Sequence, residues 1–243
     1  MRNWTGKRYW LVGASDGLGA ALAQIMAEAG AEVILSARSA DRLTELADRL
    51  PGRVTAVPMD VTDQAAVDAA TDEVGEIDGI VHLAGVYWPM KATEWQREQA
   101  VAMADVNFTG MVRVLGAVVP GMVARDRGHV VIVGSLAGFR GLPGALGYGA
   151  TKAAAMSLAE TMALDLHGTG VEVQLANPGF IRTRLTDKNT FQMPFLMEPD
   201  EAAQVLFKHM NSRRFQRSYP TLFSWVFRLA RFLPEAIYRR LFA

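Results

Sequence analysis

The chain has 243 residues, half of them hydrophobic, with 25 basic and 25 acidic side chains and no cysteine. That length and apolar content suffice for one large core, while the missing cysteines exclude disulfides, thiolate metal sites and cysteine nucleophiles. Zero net charge argues against a general nucleic-acid binder, but residues 211–243 hold seven Arg and one Glu, a +6 segment on a body of 18 basic and 24 acidic residues.

Short β-branched runs alternate with helical stretches, the pattern of a parallel sheet with right-handed crossovers. Strands are predicted at Arg8–Val12, Glu32–Ala37, Arg53–Pro58, Gly79–Leu83, His129–Gly134 and Val171–Ala176. Helices are predicted near Gly17–Ala29, Asp41–Leu50, Asp63–Val74, Trp95–Arg125 and Tyr148–Leu166, the fourth breaking near Ala104 and bending at Pro120. The expected fold is a single α/β domain over residues 1–243, a doubly wound Rossmann-type sheet with helices on both faces and a C-terminal helical extension. Such sheets bind ligands at the carboxyl ends of their strands.

The first strand runs into Gly13-Ala14-Ser15-Asp16-Gly17-Leu18-Gly19, which opens the first helix. Helix-terminal N–H groups and small side chains there suit an anionic pyrophosphate. The second strand ends in Arg38-Ser39 at the position facing an adenosine ribose. An arginine rather than an acid there favours the 2′-phosphate of NADP, with NAD possible, because guanidinium pairs with phosphate; Asp16 weighs against it.

Ser135 closes a buried strand, and Tyr148 and Lys152 follow it four residues apart. That spacing puts phenol and ammonium on one helical face, where the cation favours phenolate. Tyr148 would then exchange a proton with an alcohol or carbonyl oxygen that Ser135 holds. Tyr87, Trp88, Met90, Leu142, Pro143 and Leu146, with the apolar segment 183–198 as a substrate loop, would line a pocket for a hydrophobic molecule.

The four histidines, at 82, 129, 167 and 209, lack ligand spacing, so no metal site is expected. The start of the chain lacks a signal-peptide pattern and no uncharged run is long enough to span a bilayer, so a cytoplasmic protein is expected. Phe215, Arg217 and Tyr219 alternate as a last strand would. Residues 220–243 then form an amphipathic basic extension, with Leu222, Phe223, Val226, Leu229, Ala230 and Leu233 on one face and Ile237, Arg239, Arg240 and Leu241 beyond Pro234. Packing on the acidic body or a second subunit is the favoured reading of this segment; peripheral membrane contact stays open.

From about Lys7 to about Met210, with motifs in order, the chain resembles the short-chain dehydrogenase/reductase family. The resemblance implies a tetrad of Asn107, Ser135, Tyr148 and Lys152: Tyr148 as acid or base, Ser135 orienting substrate, Lys152 on the nicotinamide ribose and lowering the tyrosine pKa, and Asn107 holding a water. It implies that Asp60 and Val61 meet adenine, that Ala84 and Gly85 let the cofactor approach, and that Pro178, Gly179, Ile181 and Thr183 bracket the carboxamide. It also implies a homodimer or homotetramer. One departure is Leu83-Ala84-Gly85, where the family has Asn-Ala-Gly, which puts in doubt how that turn is braced. The expected activity is an NADP-preferring alcohol dehydrogenase or carbonyl reductase acting on a hydrophobic carbonyl or secondary alcohol; a non-catalytic nucleotide-binding scaffold or regulator and a lipid-surface adaptor are the alternatives.

Overall fold

Along the first strand, β1 (Arg8–Val12), Tyr9 and Leu11 enter one core while Trp10 and Val12 enter another. Burial on both faces is what a central parallel strand requires, and it explains why these runs read as apolar throughout. The computed structural model describes residues 2–189 and 191–242, so Thr190 of the expected substrate loop, Met1 and Ala243 lie outside the described residues. The elements that follow are α1 (Gly17–Glu28), β2 (Glu32–Ser36), α2 (Ala40–Arg49), β3 (Val54–Ala56), α3 (Gln64–Val74) and β4 (Gly79–His82). Next come α4 (Arg97–Ala104), α5 (Gly110–Ala124), β5 (Gly128–Val133), α6 (Leu146–Asp165), β6 (Val171–Pro178), α7 (Pro199–Met210), β7 (Gln216–Tyr219), α8 (Thr221–Ala230) and α9 (Glu235–Phe242).

All seven strands are parallel, in the order β3-β2-β1-β4-β5-β6-β7. Strand order reverses between β1 and β4, and the split connections there open a crevice at the carboxyl ends. Packing of α1 and α7 covers one face; α3, α5 and α6 cover the other. The fully buried Trp10 is satisfied by donating to Ser36 Oγ at 2.8 Å, and Ser36 donates on to the Val57 carbonyl at 2.6 Å. Three of the four histidines are buried core groups: His129, for example, lies between the Tyr9 hydroxyl at 2.9 Å and Gln174 Oε1 at 2.8 Å.

The break expected near Ala104 is a π-helical turn, Asp105–Thr109, joining α4 to α5; such turns frequently mark functional positions. The helix runs on through Pro120. The run Arg97–Ala124 is long and apolar enough to cross a membrane by length and composition, yet Met111, Val114, Leu115, Val118 and Met122 are packed in the core. Helix α7 is an addition to the predicted elements. Its signals are Pro199 at the first turn beside Asp200 and Glu201, an inward series Ala202, Ala203, Leu206 and Met210, and Lys208 and His209 in the last turn.

Candidate active site

All eighteen residues expected to touch a dinucleotide line one cleft of about 410 Å³ at the strand-order reversal. Its floor is the turn after β1. Gly13 has φ +95° and an added Cβ would stand 2.4 Å from the Ala84 backbone nitrogen, so this residue must be glycine for β1 and β4 to end side by side. Gly13→Ala is expected to destabilise the protein by about 2–4 kcal/mol, combining backbone strain with overpacking, as read by denaturant melts. At Gly17 (φ +53°) a Cβ would lie 2.7 Å from Thr183 Cγ2, which shows how closely the segment after β6 lies over the turn. Ser15, Leu18 and Gly19 complete the lining at the N-terminus of α1, whose unpaired N–H groups face the cleft end.

Asp16 sits differently from expectation. Its carboxylate caps α1 by accepting from Gly17 N at 2.8 Å and pairs with Arg184 Nε at 2.8 Å. The negative charge is therefore matched by the loop's own guanidinium rather than opposed to an incoming phosphate. At the other end of the cleft Arg38 and Ser39 are joined by Arg42, one turn into α2. Arg42 lies in the first turn of α2, beyond the strand end at which a ribose-facing residue is sought, so a reading confined to that end passes over it. Asp60 Oδ1 accepts from both the Thr62 backbone N–H at 2.9 Å and its hydroxyl at 2.8 Å, which fixes the carboxylate beside Val61.

Three segments deliver the polar centre. Tyr148 and Lys152 rise from the first turns of α6, Ser135 follows β5 as the cap of a short 3-10 turn, and Asn107 comes from the π-helical turn. Lys152 is buried and its Nζ donates to the Val133 carbonyl at 2.9 Å; it stands 5.7 Å from the Tyr148 ring centroid. Burial lowers the ammonium pKa to about 8. The phenol moves the opposite way from expectation. Its desolvation raises the pKa to about 12, with the Ser135 hydroxyl pulling down and Tyr87 pushing up. Desolvation is the largest influence and the lysine is not among the groups that lower the phenol pKa, so Tyr148 is protonated at neutral pH.

Asn107 and Ser135 are both buried beside the cleft, Ser135 within hydrogen-bond reach of the Tyr148 phenol while its Oγ accepts from Ala137 N at 3.1 Å. The Asn107 amide is committed to protein. Its Nδ2 donates to the Val86 carbonyl at 2.9 Å and to Thr151 Oγ1 at 3.1 Å, and its Oδ1 accepts from Val86 N at 2.7 Å. Both N–H groups are used, so the water expected on this side chain has no amide donor left.

The family model described as short chain dehydrogenase matches residues 7–193. The chain belongs to the short-chain dehydrogenase family. An uncharacterized oxidoreductase of Myxococcus xanthus is 38% identical over 235 residues, covering 94% of this chain and 93% of its own length. The solved short-chain dehydrogenase of Sphingobium yanoikuyae in complex with NADPH superimposes with a TM-score of 0.82 at 28% identity, covering 95% of this chain and 97% of that one. The closed form of serine dehydrogenase complexed with NADP+ gives a TM-score of 0.79 at 26% identity, over 87% and 93% of the two chains. The protein is accordingly an oxidoreductase of short-chain dehydrogenase type.

Within this short-chain dehydrogenase the departure at Leu83 has a visible answer. Leu83 N donates to the Val12 carbonyl at 2.7 Å and its side chain packs on the core, while Asn107 takes both backbone groups of Val86 and so braces the turn from the other side. The loop after β6 is tied down at three points: Arg184 to Asp16, Lys188 Nζ to the Tyr87 carbonyl at 2.8 Å, and Asn189 Oδ1 to the Tyr87 hydroxyl at 2.9 Å. Thr183 N donates to Thr186 Oγ1 at 2.9 Å in a short 3-10 turn, and Ile181 bridges Met197. Tyr87 packs edge-on against Tyr148 with centroids 5.1 Å apart. Met90 is a correction: it is buried and paired with the Ala145 segment, a structural group rather than a pocket wall.

Proposed function

We propose that this oxidoreductase is an NADP-preferring reductase of hydrophobic carbonyls, and dehydrogenase of the matching secondary alcohols. The observation that carries the reading is one cleft with a paired-arginine end at Arg38 and Arg42 and a Tyr148–Lys152 end, joined by the glycine turn. A dinucleotide fits these residues: the close approach of Gly13 to Ala84 keeps the floor free of side chains, and α1 presents its N-terminus to a pyrophosphate. Arg38, Ser39 and Arg42 would hold the 2′-phosphate, Asp60 and Val61 the adenine, Lys152 the nicotinamide ribose, and Pro178, Gly179, Ile181 and Thr183 the carboxamide. When bound, the cofactor supplies or accepts a hydride.

The chain's own contribution is proton placement and orientation. Tyr148, held protonated by desolvation, donates its phenolic proton to a carbonyl oxygen in reduction and must be deprotonated to accept one from an alcohol. Ser135 orients that oxygen. Asn107 is a positioning residue, locking the Val86 backbone and Thr151 on either side of the lysine. Tyr87, which packs on Tyr148, and Trp88, Leu142 and Leu146 would give the substrate side an apolar lining suited to a lipophilic ketone. Exposed Val112 and Val123 on α5 and Leu164 on α6 offer an apolar helix face suited to homo-oligomer formation.

Consumption of NADPH with a panel of aliphatic and cyclic ketones, followed by nicotinamide absorbance, tests the activity; no turnover with any ketone or alcohol, in either direction and with either cofactor, would overturn it. Cofactor choice has its own test. Arg38→Asp combined with Arg42→Ala is expected to weaken NADPH binding by about 10–100-fold and leave NADH within about threefold, because only the phosphorylated ribose loses paired cations. Equal loss of both cofactors in fluorescence titrations would assign these arginines to the fold instead.

A further inference from the structure

The C-terminal extension carries more apolar surface than the body covers. Helix α8 turns Phe223 and Ala230 inward, with Phe223 against Phe180 and Phe195. Its opposite side is also apolar: Leu222, Trp225, Val226 and Leu229, at i, i+3, i+4 and i+7, are 74%, 47%, 51% and 59% exposed. Phe232 after the helix is 82% exposed, and Ile237 and Leu241 continue the surface onto α9. The expectation for this segment is packing on the acidic body or on a second subunit, and the body covers one side of α8 only.

Four cations lie on or next to these two helices. Arg228, Arg231, Arg239 and Arg240 are all exposed, and of these four Arg239 alone is in an ion pair among the described residues, with Glu235 at 2.6 Å. Arg228 lies 4.7 Å over the Trp225 ring, placing an amphipathic aromatic and its cation at the margin of the stripe. The helices are held in place by Arg140, from the loop between Ser135 and Tyr148. Its Nη1 donates to the carbonyls of Ala230 at 2.6 Å and Leu233 at 2.8 Å, its guanidinium lies 3.8 Å over the Tyr238 ring, and the Tyr238 hydroxyl donates to the Gly141 carbonyl at 2.5 Å.

We propose that the outward side of α8 and α9 is a docking face for an anionic lipid surface. An apolar stripe wide enough for several long side chains, flanked by arginines and a tryptophan, matches the boundary between acyl chains and charged headgroups. The charge distribution selects lipid over a second copy of the chain. In a two-fold contact the same patch faces itself and brings both sets of arginines to one interface, whereas anionic headgroups neutralise the net charge of residues 221–243, four Arg against one Glu.

The test is co-sedimentation of the full-length protein, without cofactor or substrate, with vesicles of phosphatidylcholine alone and of phosphatidylcholine mixed with phosphatidylglycerol. The wild type is expected to sediment with the mixed vesicles and to be released by salt. A surface variant with Leu222→Gln, Val226→Gln and Leu229→Gln, and a second with Arg228→Gln, Arg231→Gln and Arg240→Gln, are each expected to bind about tenfold less, with unchanged circular dichroism and soluble-ketone turnover. A wild type that stays in the supernatant, or a leucine–valine variant that sediments as the wild type does, would sink the proposal. So would a fall in oligomeric mass of either variant in sedimentation velocity, which would assign the face to subunit contact. Because binding is read without turnover, its failure leaves the proposed activity standing.

Discussion

Tyr148→Phe is expected to lower turnover by about 10²–10⁴-fold while leaving the affinity for NADPH within about twofold. The substitution removes one oxygen and keeps the ring that packs on Tyr87, so the cleft and its cofactor contacts persist. The pH dependence should carry the imprint of the phenol. Burial holds its pKa at about 12, so the proton needed for carbonyl reduction is present throughout the neutral range. Reduction should therefore be flat with pH from that group, and alcohol oxidation, which needs the phenolate, should climb as the solution becomes more alkaline. Steady-state rates in both directions against pH check this. A variant keeping more than a tenth of the wild-type rate, or an oxidation rate that falls with rising pH, would take the phenol out of the chemistry.

Lys152→Met is expected to abolish turnover to a similar degree and, at the same time, to stabilise the folded protein by about 1–3 kcal/mol at neutral pH. The ammonium is desolvated and has the Val133 carbonyl as its one recorded partner, and its pKa lies near 8 against 10.5 for a free lysine. Between those two values the unfolded chain holds a proton that the folded chain has released, so folded stability rises with pH across that window. Below it the folded state carries the full cost of a buried charge. A methionine of similar length removes that cost and the rise together. Urea melts at neutral and alkaline pH are the measurement; a destabilised variant, or one with the wild-type pH slope, would show that the lysine holds the fold together instead of straining it.

That tension between stability and placement is the part of the site the sequence could not convey. Spacing alone put Tyr148 and Lys152 on one helical face, and both do line the cleft. Their protonation states depend on solvent exclusion by segments far away in the chain, and there the short-range expectation of a cation lowering the phenol pKa loses to burial. The glycine turn, the end of β2 and the end of β6 were readable because each is a local pattern of strand, small residue and helix start. Arg42 and Arg184 were harder: one sits inside an ordinary amphipathic helix and the other in a loop whose path over Gly17 only the tertiary structure reveals. Helix α7 had a proline and acidic start in plain view, but it follows the long irregular segment directly, which hides the change of period. The outward stripe of α8 is a different kind of miss. Leu222, Val226 and Leu229 read as one face with Phe223 and Ala230, whereas the structure turns the latter two inward and adds Trp225 to the outer side, a division set by how Phe223 is seated.

Arg140 gives the chain's last two helices a hold on the span that runs from Ser135 to Tyr148. The extension is thereby a structural wall of the catalytic half and not an appendage. Together with the Tyr238 hydroxyl on the Gly141 carbonyl, this guanidinium makes the backbone leading to the proton donor and the two last helices share one set of contacts.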